Sequence, residues 1–119
     1  MDRKLLGAMG ESIAAKHYRA AGYELLSANY RTRQGEIDLI AKKCNTIVFI
    51  EVKTRTQKSI AAPREFVTKT KQIRLSLAAK SYIAANVDNN YNYRFDVVEV
   101  YVDENGKIDI NCIENAFSL

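Results

Sequence analysis

The stretch GEIDLIAKKCNTIVFIEVKTR, residues 35–55, constrains the fold most, because it places charged residues inside two apolar runs. Period-two alternation and β-branched residues predict strands over 36–42 and 46–54, joined by a tight turn at Cys44-Asn45. The second run contains VFIEVK, which is apolar on both faces around its charges, as is typical of a central strand. A charge in such a strand is costly unless a partner compensates it, so the hairpin predicts a compensated charged site.

The register of this hairpin brings four charged side chains onto one face. Around the turn, Asp38 lies opposite Glu51, and two positions along Glu36 lies opposite Lys53. Facing carboxylates repel each other, so a cation is expected between them: either Lys53 or a divalent metal such as Mg²⁺, which takes oxygen ligands. The alternative is a solvated face with an ordinary Glu36–Lys53 ion pair and the other two carboxylates in water.

The first helix is predicted to lie close to another element of the fold. Its apolar side carries three small residues, Gly7, Gly10 and Ala14, which would let its backbone approach that element. Glu11 falls at the edge of that apolar side and not in the middle of the charged face.

The other predicted elements surround the hairpin. They are a helix over 3–21 ended by Gly22, a strand over 23–31, a helix over 65–86, and strands over 95–102 and 107–113 around an Asn-Gly turn. The second helix has Phe66, Ile73 and Leu77 at helical spacing as its apolar face. The predicted fold is α/β (α+β): one domain over residues 1–119, with a mixed sheet of about five strands flanked by helices in the order αβββαββ.

Composition and charge limit the class of protein. With 119 residues and 47% hydrophobic content the chain can bury a core, while no apolar run reaches the ~18 residues of a membrane span. The N-terminus lacks a secretion signal and two cysteines make neither a disulfide framework nor a zinc cluster, so we expect a cytoplasmic protein without a membrane partner. Residues 1–80 carry 16 Lys and Arg against 7 Asp and Glu, and residues 81–119 carry 2 against 7. This asymmetry favours a polyanion partner, the alternative being a basic solvated surface.

Several motifs in order resemble a known family. They are GAMGESIAA at 7–15, AGYELL at 21–26, GEIDLI and VFIEVKTR in the hairpin, KTKQIR at 69–74 and RFDVVEV at 94–100. Together they resemble the small YraN-like bacterial proteins of the PD-(D/E)xK nuclease superfamily, which are similar to archaeal Holliday junction resolvases. The resemblance covers most of the chain and implies a restriction-endonuclease-like fold.

The resemblance also implies an activity: metal-dependent endonucleolytic hydrolysis of phosphodiester bonds in DNA, including branched DNA. Mg²⁺, or Mn²⁺ in its place, would be bound by oxygen ligands from Asp38, Glu51, Glu11 and the backbone carbonyl of Val52. Lys53 would be the catalytic lysine, with Glu36 supporting it. A homodimer is implied as well, and no small-molecule substrate is expected. The open alternative is a catalytically weak or inactive nucleic-acid-binding module that acts with DNA-processing partners.

Two basic stretches are candidates for nucleic-acid contact. The segment 55–64 follows the strand of Lys53 and carries Arg55, Lys58 and Arg64, which suits contact with a phosphate backbone. On the second helix, Lys71 and Arg74 share a face that is either an electrostatic footprint for nucleic acid or an ordinary solvated surface.

Overall fold

The computed structural model describes residues 2–56, 67–87 and 90–118. Its elements are α1 (Arg3–Ala20), β1 (Glu24–Arg31), β2 (Glu36–Lys43), β3 (Thr46–Arg55), α2 (Lys69–Asn86), β4 (Asn92–Val102) and β5 (Ile108–Phe117). The order αβββαββ and the mixed α/β class are as predicted, and each predicted strand is present with shifted ends.

The five strands form one sheet in the order β1-β2-β3-β4-β5. Neighbouring strands are antiparallel except β3 and β4, which run parallel because the chain crosses between them through α2. In the hairpin, Leu39 pairs with Ile50 and Lys43 with Thr46, so the predicted register is confirmed along the ladder. Cys44 in the turn has a positive φ of 53°.

The two helices cover opposite faces of the sheet, and each helix closes one apolar cluster. On one face, residues of α1 pack on the even-numbered residues Val48 and Ile50 of β3. On the other face, residues of α2 pack with Ile47 and Phe49 of the same strand. Burial on both faces explains why this strand reads as a continuous apolar run.

Capping residues set the helix ends. The side chain of Asp2 accepts a hydrogen bond from Lys4 N at 2.9 Å, and Gly22 follows the helix with a φ of +93°, as predicted. The predicted start of the second helix is wrong, because Thr68 caps it by accepting from Lys71 N, and the helix begins only at the next residue. In the described parts of the chain, neither helix is long and apolar enough to cross a membrane.

The predicted apolar face of α2 is also wrong. Ile73 and Leu77 are 52% and 42% exposed, and Phe66 lies outside the described residues. The buried residues of this helix are instead Leu75, Ala78, Ala79 and Tyr82. Both stripes have helical spacing, so periodicity alone does not choose between them. The side of the helix with Ala78 and Ala79 faces the sheet, since these small residues allow the helix to lie close to it.

A buried polar network ties α1 to the far side of the sheet. Asp96 on β4 is 1% exposed and accepts hydrogen bonds from Tyr18 Oη at 2.7 Å and from Asn115 N at 3.0 Å. Arg94 donates to the same carboxylate through Nε at 2.8 Å and Nη2 at 2.9 Å. Four donors compensate this buried charge, and the network fixes the position of the helix that carries Glu11.

The close approach predicted for the first helix is confirmed at Gly10 and Ala14. Both residues are buried, and a Cβ built on Gly10 would collide with Thr54 Oγ1 and lie 2.9 Å from both Thr54 Cβ and Cγ2. Because three atoms of a β-branched side chain crowd the same point, rotating Thr54 gives no relief. Gly7 contributes no such contact among the described residues, since its added Cβ has nothing within 4 Å.

Alanine at these two glycines is expected to act in opposite directions. Gly10→Ala should destabilise the protein by about 2 kcal/mol, because overpacking forces α1 away from β3. Gly7→Ala is the matched control and should stabilise it by about 0.5 kcal/mol through helix propensity and a less flexible unfolded chain. Urea unfolding of both variants measures the difference, and equal effects would contradict the close approach at Gly10.

Candidate functional site

The site is built where the β2–β3 hairpin opens. The main-chain pairing of these strands ends at Leu39 and Ile50, and beyond that pair Asp38 Oδ2 accepts a hydrogen bond from Val52 N at 2.8 Å. A side chain thus takes the place of a main-chain acceptor at the end of the ladder. Asp38 and Glu51 are 9% and 7% exposed and share a side-chain hydrogen bond, so the register does bring these carboxylates together.

Burial and the neighbouring Glu51 make the charged form of Asp38 unfavourable. Burial raises the pKa of Asp38 to about 8, and the hydrogen bond and the charge of Glu51 act in the same direction. The N–H of Val52 opposes the rise by stabilising the charged form. The Asp38 carboxyl therefore keeps its proton near neutral pH.

One oxygen of Glu51 has an unusual environment. Its Oε2 lies 3.0 Å from Nζ of Lys71, a residue of α2 whose side chain is 51% exposed. This contact is an ion pair, and within the described chain the buried oxygen has no hydrogen-bond partner. A buried carboxylate oxygen in this state is available as a ligand.

Glu11 approaches the carboxylate pair from α1. It lines an open cleft of about 280 Å³, bounded by Arg3, Leu6, Gly7, Glu11, Glu36, Asp38, Glu51, Val52, Thr54 and Lys71. Burial raises the pKa of Glu11, while a hydrogen bond from the Asn29 side chain lowers it. The nearby charges of Glu36 and Glu51 add to the rise. In residues 2–56, 67–87 and 90–118, no three metal-ligating side chains converge, so Glu11 borders the pair without joining it.

The surroundings of Lys53 include a carboxylate that sequence reasoning missed. Lys53 is the direct neighbour of Glu99 in the parallel β3–β4 pairing. Glu99 is 3% exposed and accepts hydrogen bonds from Asn111 Nδ2 at 2.8 Å and from Tyr101 Oη at 3.2 Å. The signal was a charge inside the apolar run VVEVYV, the same kind of pattern that marks the hairpin.

Glu36 lines the same cleft from the start of β2. Its carboxylate lies 3.3 Å from Nε of Arg31, and both side chains are exposed. The β2–β3 ladder ends before positions 36 and 53, so the pairing expected between Glu36 and Lys53 lies beyond the observed register. Support of the lysine by Glu36 stays a prediction.

The basic candidates divide into two groups. Arg55 ends β3, while Lys58 and Arg64 lie outside the described residues. The structure places Lys71 in the carboxylate cleft, and Arg74 lines a neighbouring cleft together with Gly35.

The donor set at this opening fits a hard divalent cation. Two carboxylates line an open cleft together with Val52, and one buried carboxylate oxygen lacks a hydrogen-bond partner among the described residues. The Val52 carbonyl as a further ligand stays a prediction. Mg²⁺ typically takes one or two carboxylates, keeps several waters and binds a substrate phosphate with its remaining positions. The set has no sulfur or imidazole ligand of the kind that zinc and copper sites favour.

Fold and site together define a class: a mixed α/β domain with a buried carboxylate pair at the mouth of its central hairpin. Comparison with known proteins gives the family, since the profile of uncharacterised protein family UPF0102 matches residues 10–100. The chain belongs to the UPF0102 family, which confirms the resemblance to YraN-like proteins at that level.

Full-length relatives support this assignment. A UPF0102 protein of Caldicellulosiruptor saccharolyticus is 46% identical over 118 residues, covering 98% of this chain and 100% of the relative. One from Alkaliphilus oremlandii is 44% identical over 116 residues, covering 96% and 98%. One from Clostridium acetobutylicum is 40% identical over 117 residues, covering 98% and 96%. The domain therefore corresponds to nearly the whole length of these relatives.

Proposed function

We propose that this protein is a metal-dependent DNA endonuclease that hydrolyses phosphodiester bonds, including those of branched DNA. The observation that carries the proposal is the buried Glu51 oxygen, which lies beside Asp38 in an open cleft and has no hydrogen-bond partner among the described residues. The order of motifs shared with PD-(D/E)xK nucleases supports the same conclusion.

The chemistry divides between the bound metal and the side chains. Asp38 and Glu51 would hold Mg²⁺, or Mn²⁺, which would supply an activated water and neutralise charge on the phosphate. The N–H of Val52 holds the Asp38 carboxylate in one orientation, and metal binding would require Asp38 to release its proton. In this proposal Lys53 stabilises negative charge on the phosphate, and Glu11 orients water at the border of the cleft.

Lys71 has a separate role in the proposal. Its ion pair with Glu51 balances the acidic site before substrate arrives, and its exposed ammonium group can then move to an incoming phosphate. This exchange keeps the net charge of the cleft nearly constant when metal and phosphate bind.

One observation favours a second candidate, a nucleic-acid-binding module with weak or no cleavage. The site already neutralises itself, because Asp38 holds a proton near neutral pH and Lys71 contacts Glu51. If these contacts persist on DNA, the fold and its basic surface would bind nucleic acid without hydrolysing it.

Cleavage of a labelled four-way junction, a flap, a duplex and a single strand tests the proposal. Each substrate is incubated with Mg²⁺, Mn²⁺ or EDTA, using the parent, Lys53→Ala and, as control, Lys107→Ala in the turn between β4 and β5. We expect metal-dependent cutting that falls by at least about 10²-fold in Lys53→Ala and is unchanged in the control. Binding without cutting in every metal would overturn the enzyme and leave the binding module.

The proposal includes a cytoplasmic location and a second copy of the chain as partner. A two-fold dimer would match the symmetry of a four-way junction. Light scattering of the protein alone and on the junction measures the stoichiometry, and one monomer per junction would contradict the dimer.

A further inference from the structure

The turn between β1 and β2 is rigid and carries an arginine. Thr32 Oγ1 accepts hydrogen bonds from Gln34 N at 3.2 Å and from Gly35 N at 3.1 Å. Thr32 also donates through N and Oγ1 to Gly35 O, at 2.8 Å and 2.9 Å. Arg33 lies inside this closed loop, so its backbone is already ordered before any ligand binds.

The same turn is packed against the beginning of α2. A Cβ built on Gly35 would lie 2.9 Å from Arg74 O and 3.1 Å from Arg74 Cβ. The absence of a side chain at this position therefore lets the turn touch the helix backbone. As a result, Arg33 and Arg74 belong to one fixed platform although they are 41 positions apart in the chain.

Three adjoining clefts join this platform to the carboxylate site. The cleft of Glu51 shares Glu36 and Lys71 with a cleft of about 350 Å³ between the turn and the first residues of α2. That second cleft shares Glu36, Gly35 and Arg74 with a third of about 460 Å³, which Arg33 also lines. We call these three clefts the groove.

Charge changes sign along the groove. One end holds the buried carboxylates, the middle holds Lys71, and the far end is lined by Arg31, Arg33 and Arg74. Glu36 lines all three clefts, and its carboxylate lies 3.3 Å from Nε of Arg31. Arg33 and Arg74 are exposed, so their guanidinium groups meet solvent at the groove surface.

We propose that Arg33 and Arg74 form a phosphate-binding subsite for a nucleic-acid strand that runs from the carboxylate cleft past Lys71 to the β1–β2 turn. The inference rests on the proposed function, because it names where the substrate strand lies. Guanidinium groups bind phosphate oxygens in a bidentate manner, and a rigid platform lowers the entropy lost on binding.

Salt dependence of binding tests the subsite. Affinity for a labelled single strand and for the four-way junction is measured in EDTA from roughly 50 to 300 mM salt. Over this range, the affinity of a protein that contacts several phosphates falls steeply. Arg33→Ala and Arg74→Ala should each reduce the slope of log affinity against log salt by about 1, and the double variant by about 2. Arg19→Ala on α1 is the matched control and should leave the slope unchanged.

Position along the strand gives a second measurement. Single methylphosphonate substitutions remove one phosphate charge at a time. In the parent, a neutral linkage on one side of the cut site should weaken binding. In the Arg33→Ala, Arg74→Ala double variant, the same linkage should have no further effect. Gly35→Ala, which pushes the turn from the helix, should weaken binding without removing a charge.

The outcomes separate this subsite from the proposed function. A parent that binds, with slopes unchanged in both arginine variants, would overturn the subsite and leave the nuclease proposal intact. Reduced slopes without any cleavage in Mg²⁺ would support the subsite and overturn the enzyme. A parent that binds no nucleic acid would overturn both.

Discussion

Replacing Glu51 by glutamine is expected to lower the proposed metal-dependent cleavage by at least about 10³-fold, because the change would remove a charged oxygen ligand of the proposed metal, worth several kcal/mol of transition-state stabilisation. Glutamine keeps the size of the side chain, so the hairpin should stay folded. Single-turnover cleavage rates at saturating protein measure the loss, and calorimetric titration with Mn²⁺ should show weakened metal binding in the absence of DNA.

Glu104→Gln provides the control, since this exposed carboxylate lies in the turn between β4 and β5, away from the cleft. It should match the parent in both measurements. Full cleavage by the Glu51 variant, with its metal affinity unchanged, would rule out the carboxylate pair as the metal site. If cleavage is lost while metal binding is unchanged, the metal binds at another site and Glu51 acts in substrate contact.

The second large effect concerns stability as a function of pH in the metal-free protein. Burial and Glu51 raise the pKa of Asp38 to about 8, whereas an unfolded aspartate titrates near about 4. Between these values the folded protein keeps a proton that the unfolded chain has released. The free energy of unfolding is therefore expected to fall as the pH rises from about 4 to about 8.

Asp38→Asn should remove most of this decline. Asparagine can still accept the hydrogen bond from Val52 N, but it carries no charge to bury. We expect the variant to be more stable than the parent by about 5 kcal/mol at pH 8, since the shift spans about 4 pKa units at about 1.4 kcal/mol each, and nearly equal to it at pH 4. Urea unfolding in EDTA at several pH values measures this difference, with Glu104→Gln as the control that should follow the parent.

Adding Mg²⁺ extends the same experiment to the proposed function. Metal binds the deprotonated carboxylate, so Mg²⁺ should stabilise the parent at pH 8 and have little effect at pH 5. The Asp38 variant should respond to Mg²⁺ at neither pH. A parent whose stability is flat from pH 4 to 8 would contradict the buried proton, and a parent unaffected by Mg²⁺ at pH 8 would count against the metal.

These effects illustrate a conflict between stability and function at the hairpin mouth. Two carboxylates held in a poorly solvated site destabilise the folded protein, and the proposed cation between them would relieve that cost. The surrounding network around Asp96 and the close contact of Gly10 with Thr54 supply the rigid frame that keeps the pair in place. A site of this kind persists because the rest of the fold stabilises it.

Much of the candidate site was accessible from the sequence because the hairpin is local. A two-residue turn and period-two alternation determine which residues of adjacent strands face each other, so Asp38 and Glu51 were placed together correctly. The close approach of the first helix was accessible for a similar reason, since Gly10 and Ala14 are small residues on its apolar side.

The remaining features depend on residues that are far apart in the chain. The stripe of α2 that faces the sheet, the contact of Lys71 with Glu51, and the place of Glu99 beside Lys53 all follow from the crossover between β3 and β4. Periodicity left two stripes of α2 available, and packing against the sheet selected the one with Ala78 and Ala79.

The sequence by itself determined the order of elements, the register of the hairpin and the identity of the carboxylate pair, because short-range geometry controls all three. Only the tertiary structure decided which cations meet that pair and how the groove extends to Arg33 and Arg74. The physical reason is that the groove forms between surfaces distant in sequence, and their contact depends on side-chain packing that no local pattern encodes.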